Sequence, residues 1–202
     1  MNRRLAVLAA AVVAACGAAV PANAARTVCL QIQDVAGDGN ALVVPASQDS
    51  LDLLSGDIAT GRRNLVAALR LKSVTPDAAL VGGLTYTLSF TSGGVGHTLT
   101  YRQFGTGERE ADLAVGTGID GAVFPVDFLV DEGTATVTWI VPRKLIPALK
   151  KNGAKFTGLS AGSHVADNLK LPTGTMKGSF GADTAQSGRS YTDGTPTCLK
   201  GT

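Results

Sequence analysis

The chain is predicted to fold as an all-β protein, an antiparallel β-sandwich of jelly-roll or immunoglobulin-like type with one short helix, preceded by a signal peptide. Three observations carry that expectation. Short segments of period-two apolar alternation recur along the chain, turn residues separate them at close intervals, and an even pair of cysteines sits near the two ends of the exported part. The 25 glycines among 202 residues supply the turns such a fold needs.

Residues 1–24 read as the signal. Arg3 and Arg4 form a positive start, Leu5 to Ala15 is an apolar stretch too short to cross a bilayer comfortably, and Ala22-Asn23-Ala24 is a small-x-small cleavage site. Cleavage there starts the mature chain at Ala25 and leaves residues 25–202, about 178 residues, enough for a single β-sandwich domain with its own core. "VAAC", Val13 to Cys16, resembles a lipobox, so lipid anchoring through Cys16 is the alternative. Both readings export the protein to a secreted or extracytoplasmic location.

Export sets the reading of the other cysteines. Cys29 and Cys198 remain in the mature chain and are expected to form a disulfide in an oxidising compartment. On the chain-entropy model, closing a loop of roughly 170 residues stabilises by about 5 kcal/mol. Neither a CxxC redox motif nor a four-cysteine zinc pattern is present. Loss of Arg3 and Arg4 from the 18 basic residues leaves as many acids as bases, and no basic run exceeds Arg62-Arg63 or Lys150-Lys151. Nucleic-acid binding, which needs clustered Lys and Arg, is therefore not expected. Beyond the signal, no apolar stretch is long enough for a transmembrane segment.

The elements follow in order. "TVCLQIQ" alternates Val28, Leu30 and Ile32. Residues 51–60 and 64–74 read as two strands joined by a tight turn at Gly61. "LTYTLSFT" places Leu84, Tyr86, Leu88 and Phe90 on one face, "SGG" turns the chain, and "HTLTYRQF" returns with Leu99 and Tyr101 on the matching face. "ADLAV" is a short strand. "AVFPVDFLV" carries Phe124, Val126, Phe128 and Val130 at period two, with Pro125 arguing for an edge or irregular position. "DEG" leads into "TATVTWIV", where Val137, Trp139 and Val141 share a face. "PRKLIPALKKNG" begins with Pro142, has Lys150 and Lys151 in a last turn and stops at Gly153, as one short interrupted helix would. "AKFTGLSAG" is a further strand, and the turn-rich stretch after Leu171 is expected to be irregular, tied back through Cys198.

Several patterns match active-site formulae and fail on context. "GLSAG" fits G-x-S-x-G with Ser160 as nucleophile, but it lies in a β-rich stretch, and the only later histidine, His164, follows after four residues. "GTGIDG", Gly116 to Gly121, leads into a proline and period-two apolar residues rather than the helix a dinucleotide site requires. His97 falls on the face of Leu99 and Tyr101 and reads as a core histidine. His97, His164 and Met176 are the residues that could in principle ligate haem, and zinc has no supporting pattern.

"DVAGDGN", residues 34–40, holds Asp34, Asp38 and Asn40 around a glycine turn. Asp, Asn and Gly are the ordinary vocabulary of turns, and a solvated polar turn is the first reading. The alternative is a structural calcium site on these three residues, completed by Asp49, Asp52, Asp57 or Asp183.

In order and content, "DVAGD" (34–38), "LDLLSGDI" (51–58), "LVAALRL" (65–71), "YTLSF" (86–90) and "TVTWIVPRKLI" (136–146) resemble a secreted bacterial β-sandwich domain of the DOMON-like, carbohydrate-binding-module-like type. The resemblance implies binding of sugars or haem, with structural calcium in some members near the N-terminal acidic loop, here Asp34 and Asp38. Sugar-binding members use exposed aromatic platforms. Trp139 alternates with core residues, which leaves Tyr101 and Tyr191 as substitutes. The resulting expectation is an exported, non-catalytic module that binds extracellular glycan or another cell-envelope component, with no cofactor beyond the calcium alternative. A secreted haem or redox domain is the runner-up.

Overall fold

The computed structural model describes residues 29–39, 49–76, 83–116, 121–165, 169–171, 174–176 and 180–199. The expected signal segment with Cys16, and also Val28 and Asn40, lie outside the described residues. Two antiparallel sheets face one another across a shared apolar core, the sandwich the alternation predicts. The first sheet runs in the order β1 (Ile32–Gln33), β2 (Leu53–Thr60), β3 (Asn64–Leu71), β9 (Thr136–Pro142), β8 (Asp127–Asp131). The second runs β13 (Phe180–Gln186), β10 (Lys155–Val165), β4 (Gly83–Ser92), β5 (Val95–Phe104), β6 (Arg109–Val115), β7 (Ala122–Pro125), and β14 (Tyr191–Thr192) also pairs with β10. β11 (Leu169–Leu171) and β12 (Gly174–Met176) form a separate ribbon.

The β4–β5 hairpin shows why alternation writes this fold. Gly93 and Gly94 have φ of +61° and +79°, the paired left-handed geometry of a two-residue turn whose twist matches its strands. The turn fixes the register, so Tyr86 stands opposite Tyr101 and Leu88 opposite Leu99, all on the buried face. On the facing sheet Trp139 is 0% exposed. Its large ring is accommodated beside Ala67, its cross-strand partner, and its indole N–H donates to the Thr100 carbonyl on the opposite sheet at 3.1 Å. Cys29 and Cys198 are joined as a disulfide with their Cα atoms 5.1 Å apart, as expected.

Four segments depart from expectation. Leu30 is not an inward strand residue: it has φ of +51° and is 43% exposed, while Gln31 is buried with its amide bonded to the backbone of Ile58. Residues 122–131 form two strands in different sheets, because Pro125 has no N–H to continue a ladder and the chain crosses between layers at Val126. Each half is an edge strand, as Pro125 suggested. The helical segment consists of two 3-10 turns, Arg143–Leu145 and Pro147–Lys150, since Pro147 forces Ile146 extended (φ −111°, ψ 99°). The stretch after Leu171 holds a seven-residue strand, β13, paired along the edge of β10.

These registers give the sandwich two poles. At one, the start of β2 meets the end of β10 and β13: Ser163 Oγ donates to the Leu51 carbonyl at 2.6 Å and Leu53 N–H donates to Asp183 at 2.8 Å. At the other, the end of β2 meets β14 and the start of β10, where the Tyr191 hydroxyl lies 2.7 Å from Thr60 Oγ1.

Candidate metal centre

The first pole gathers carboxylates from three separate segments. β1 ends at Gln33 and the chain turns through Asp34–Gly39, laying this loop against Asp52. Gly37 N–H donates to Asp52 Oδ2 at 2.7 Å. A Cβ at Gly39 would come within 2.5 Å of the Asp52 Cα, so only glycine permits that approach. From the opposite side β13 brings in Asp183, paired with Ser163 on β10. Carboxylate oxygens of Asp34, Asp38 and Asp183 then lie within 4.8 Å of one another.

The electrostatics of this arrangement are unfavourable as it stands. Asp183 is 9% exposed, and burial followed by the charges of Asp34 and Asp38 pushes its pKa up to about 6, against the lowering effect of the Leu53 N–H bond. Asp52 is 0% exposed, and its pKa is likewise raised, by burial first and then by Asp38 and Asp49, against the Gly37 bond and the Lys72 charge. Two buried carboxylate oxygens here, Asp34 Oδ2 and Asp52 Oδ1, accept no hydrogen bond among the described residues. A buried acceptor left unpaired costs about 1–3 kcal/mol, more when charged.

A hard cation among Asp34, Asp38 and Asp183 would offset the burial and repulsion that raise the Asp183 pKa. The donor set is all oxygen, with neither nitrogen nor sulfur ligands among the described residues. Calcium takes six to eight oxygens at roughly 2.3–2.6 Å, so two ligands on opposite sides of one ion stand about 4.8 Å apart. Oxygens of Asp34, Asp38 and Asp183 within 4.8 Å of one another are close enough to share one such shell, while Asp52, which holds the loop through Gly37, lies outside that group.

Of the residues expected to hold calcium, Asp34 and Asp38 are brought together and Asn40 lies outside the described residues. Among the four named to complete the shell, Asp183 joins them and Asp52 supports the loop. Asp49 is instead 2.7 Å from Lys72 Nζ, and Asp57 accepts from Gln31 N–H at 2.9 Å.

The other candidates are dispersed. Ser160 sits within β10 opposite Ser89 and Gln186, not at a strand-to-helix bend. Gly116 has φ of +94°, and Gly121 is followed directly by β7 rather than by a helix. His97 is buried against Phe90 with ring centroids 4.9 Å apart, and its Nδ1 lies 2.9 Å from the Val95 carbonyl. His164 pairs with Thr85, so it faces the outer side of the sheet, whereas His97 pairs with the inward Phe90, five positions along β4. The two histidines therefore cannot face one haem. Met176 ends β12, in the separate ribbon. Tyr101 and Tyr191 are each buried, as is Trp139, so none of them offers an aromatic platform.

Comparison with family models, with curated proteins and with solved structures finds no match for this chain.

Proposed function

We propose that the protein is a non-catalytic, calcium-holding β-sandwich module of the cell exterior, with extracellular glycan or cell-envelope material as its ligand. One observation carries the calcium reading: two carboxylates of the 34–39 loop and a third from β13 converge within 4.8 Å, beside a fully buried Asp52 whose Oδ1 has no hydrogen-bond partner among the described residues. Bound calcium would tie the N-terminal loop to β13 and so lock the first sheet to the second. The Cys29–Cys198 disulfide supports an oxidising location. The placing of Ser160 in mid-strand and of the two histidines on opposite faces supports a binding role over catalysis or haem chemistry.

Thermal melts in EDTA, calcium and magnesium test the proposal. Extracellular calcium modules bind with Kd down to about 10⁻⁴ M. At about 100 times Kd, calcium stabilises by about 2.7 kcal/mol, or roughly 5–10 °C for a domain of this size. A shift of that order, reversed by EDTA and weaker with magnesium, is the expected result. Superimposable melts in EDTA and calcium would remove the calcium reading.

A further inference from the structure

The pole opposite the carboxylates collects positive charge. The turn between β2 and β3 carries Arg62 and Arg63, and the segment from Pro142 to Lys155 adds Arg143, Lys144, Lys150, Lys151 and Lys155 with no acidic residue. These pieces are held together. Arg143 N–H donates to the Arg63 carbonyl at 2.8 Å, and its guanidinium donates to the Gly61 carbonyl at 3.2 Å and to Asp193 at 2.9 Å. Arg143 is neutralised by Asp193. Arg62, Arg63, Lys144, Lys150, Lys151 and Lys155 are all exposed, and none forms an ion pair among the described residues.

Four of these cations, Arg62, Lys150, Lys151 and Lys155, line a concavity, together with the Arg143–Asp193 pair. One cleft of about 600 Å³ lies between Gly61, Arg62, Arg143 and Gly194, and a second of about 660 Å³ lies between Gly93, Pro147, Lys151 and Lys155. Asn152 and Gly153 line both, so the two clefts adjoin. We infer that this double cleft binds an acidic polysaccharide, Arg62, Lys150, Lys151 and Lys155 meeting the anionic groups and the Asn152 amide meeting sugar hydroxyls.

The chemistry of the lining narrows the choice of ligand. Among the described residues neither cleft is lined by an aromatic side chain, so nucleic-acid bases find no stacking surface there and neutral sugars no platform. The exposed large apolar residues among the described ones, Leu30, Val35, Val123 and Leu129, lie elsewhere, leaving nothing at this pole to insert into a bilayer. A flat membrane surface cannot enter a groove, whereas a single extended chain can. The inference rests on the binding-module reading and adds the face and the ligand chemistry.

Dextran sulfate, with uncharged dextran as its matched control, is the probe, and fluorescence anisotropy in EDTA is the readout, which keeps calcium out of the measurement. The full chain should bind dextran sulfate and not dextran, with affinity falling as salt rises. Lys150→Ala/Lys151→Ala should weaken binding about tenfold or more, while Arg70→Ala/Arg109→Ala, the same charge change away from the cleft, should weaken it less than about twofold. Equal weakening by both pairs, or no binding to dextran sulfate, would overturn the inference. So would binding only to phosphatidylglycerol vesicles or single-stranded DNA. Equal binding of dextran and dextran sulfate would overturn it too but leave the binding module standing, and loss of the calcium response alone would leave it untouched.

Discussion

The Asp183 carboxylate accepts a hydrogen bond from the backbone of Leu53 at 2.8 Å, joining two residues 130 positions apart and one sheet to the other. This single bond brings an acidic side chain from near the C-terminus into a loop of acidic residues near the N-terminus. It also makes Asp183 the position at which scaffold and the proposed ion site can be separated by mutation.

Asp183→Asn keeps an acceptor for Leu53 N–H but removes a charge from the cluster. Without calcium its melting temperature should equal or exceed that of the native chain, and the calcium-induced shift should vanish. Asp183→Ala leaves the Leu53 N–H unpaired and should cost about 1–3 kcal/mol in either condition. Denaturant titration of both variants with and without calcium checks this. A calcium response retained by Asp183→Asn would contradict it.

The calcium response should depend on pH, with a sign fixed by Asp183. Its pKa in the folded protein is raised from 3.8 to about 6, so the metal-free folded state holds this proton more tightly than the unfolded chain. Its contribution to stability is therefore present below about pH 4 and lost as pH rises through about 6. Calcium requires the ionised carboxylate and reverses that trend. The calcium-induced melting shift should be small at pH 5 and several-fold larger at pH 7.5, and equal shifts at both would be inconsistent with Asp183 as a ligand.

Trp139 is the chain's one tryptophan and reports on the core without labelling. Buried between the sheets, it should emit at short wavelength when folded and shift to the red in one step on unfolding. Trp139→Ala should cost about 3–5 kcal/mol through the cavity it leaves. Trp139→Phe should cost less, since one aromatic ring still fills most of the site and the loss is confined to the pyrrole portion and its bond to the Thr100 carbonyl.

Reduction of the Cys29–Cys198 bond, or the double serine variant, should destabilise the domain by about 2–5 kcal/mol. Gel mobility with and without reductant, read beside the melting curve, tests both the bond and its effect. Unchanged mobility together with unblocked thiols would deny the bond.

The fold was legible where side chains alternate strictly. Leu84, Tyr86, Leu88 and Phe90 announce a buried strand face, and the Gly93-Gly94 turn fixes its partner. β13 is not legible in the sequence because its inward row includes Asp183 and Ala185, a carboxylate and a methyl, which carry no apolar rhythm. Residues 122–131 hold their period-two pattern across Val126 even though the chain changes sheets there, so periodicity alone could not find the break.

Both poles illustrate the same limit. Asp34 and Asp38 are neighbours in sequence and drew attention as a pair, but choosing Asp183 over Asp49 or Asp57 required the register of β13 on β10. The positive pole was hidden by balanced overall charge and by the absence of long basic runs. Folding brings Arg62 and Arg63 beside a segment some eighty residues later, and charge separation in space then exceeds anything visible along the chain.

Isothermal titration of calcium into the EDTA-stripped chain tests the central claim most directly. The account predicts one saturable site per chain in the native protein, with Kd of about 10⁻⁴ to 10⁻³ M, and none in Asp183→Asn. Absence of binding heat in the native protein across several temperatures, or the same isotherm from the variant, would contradict it.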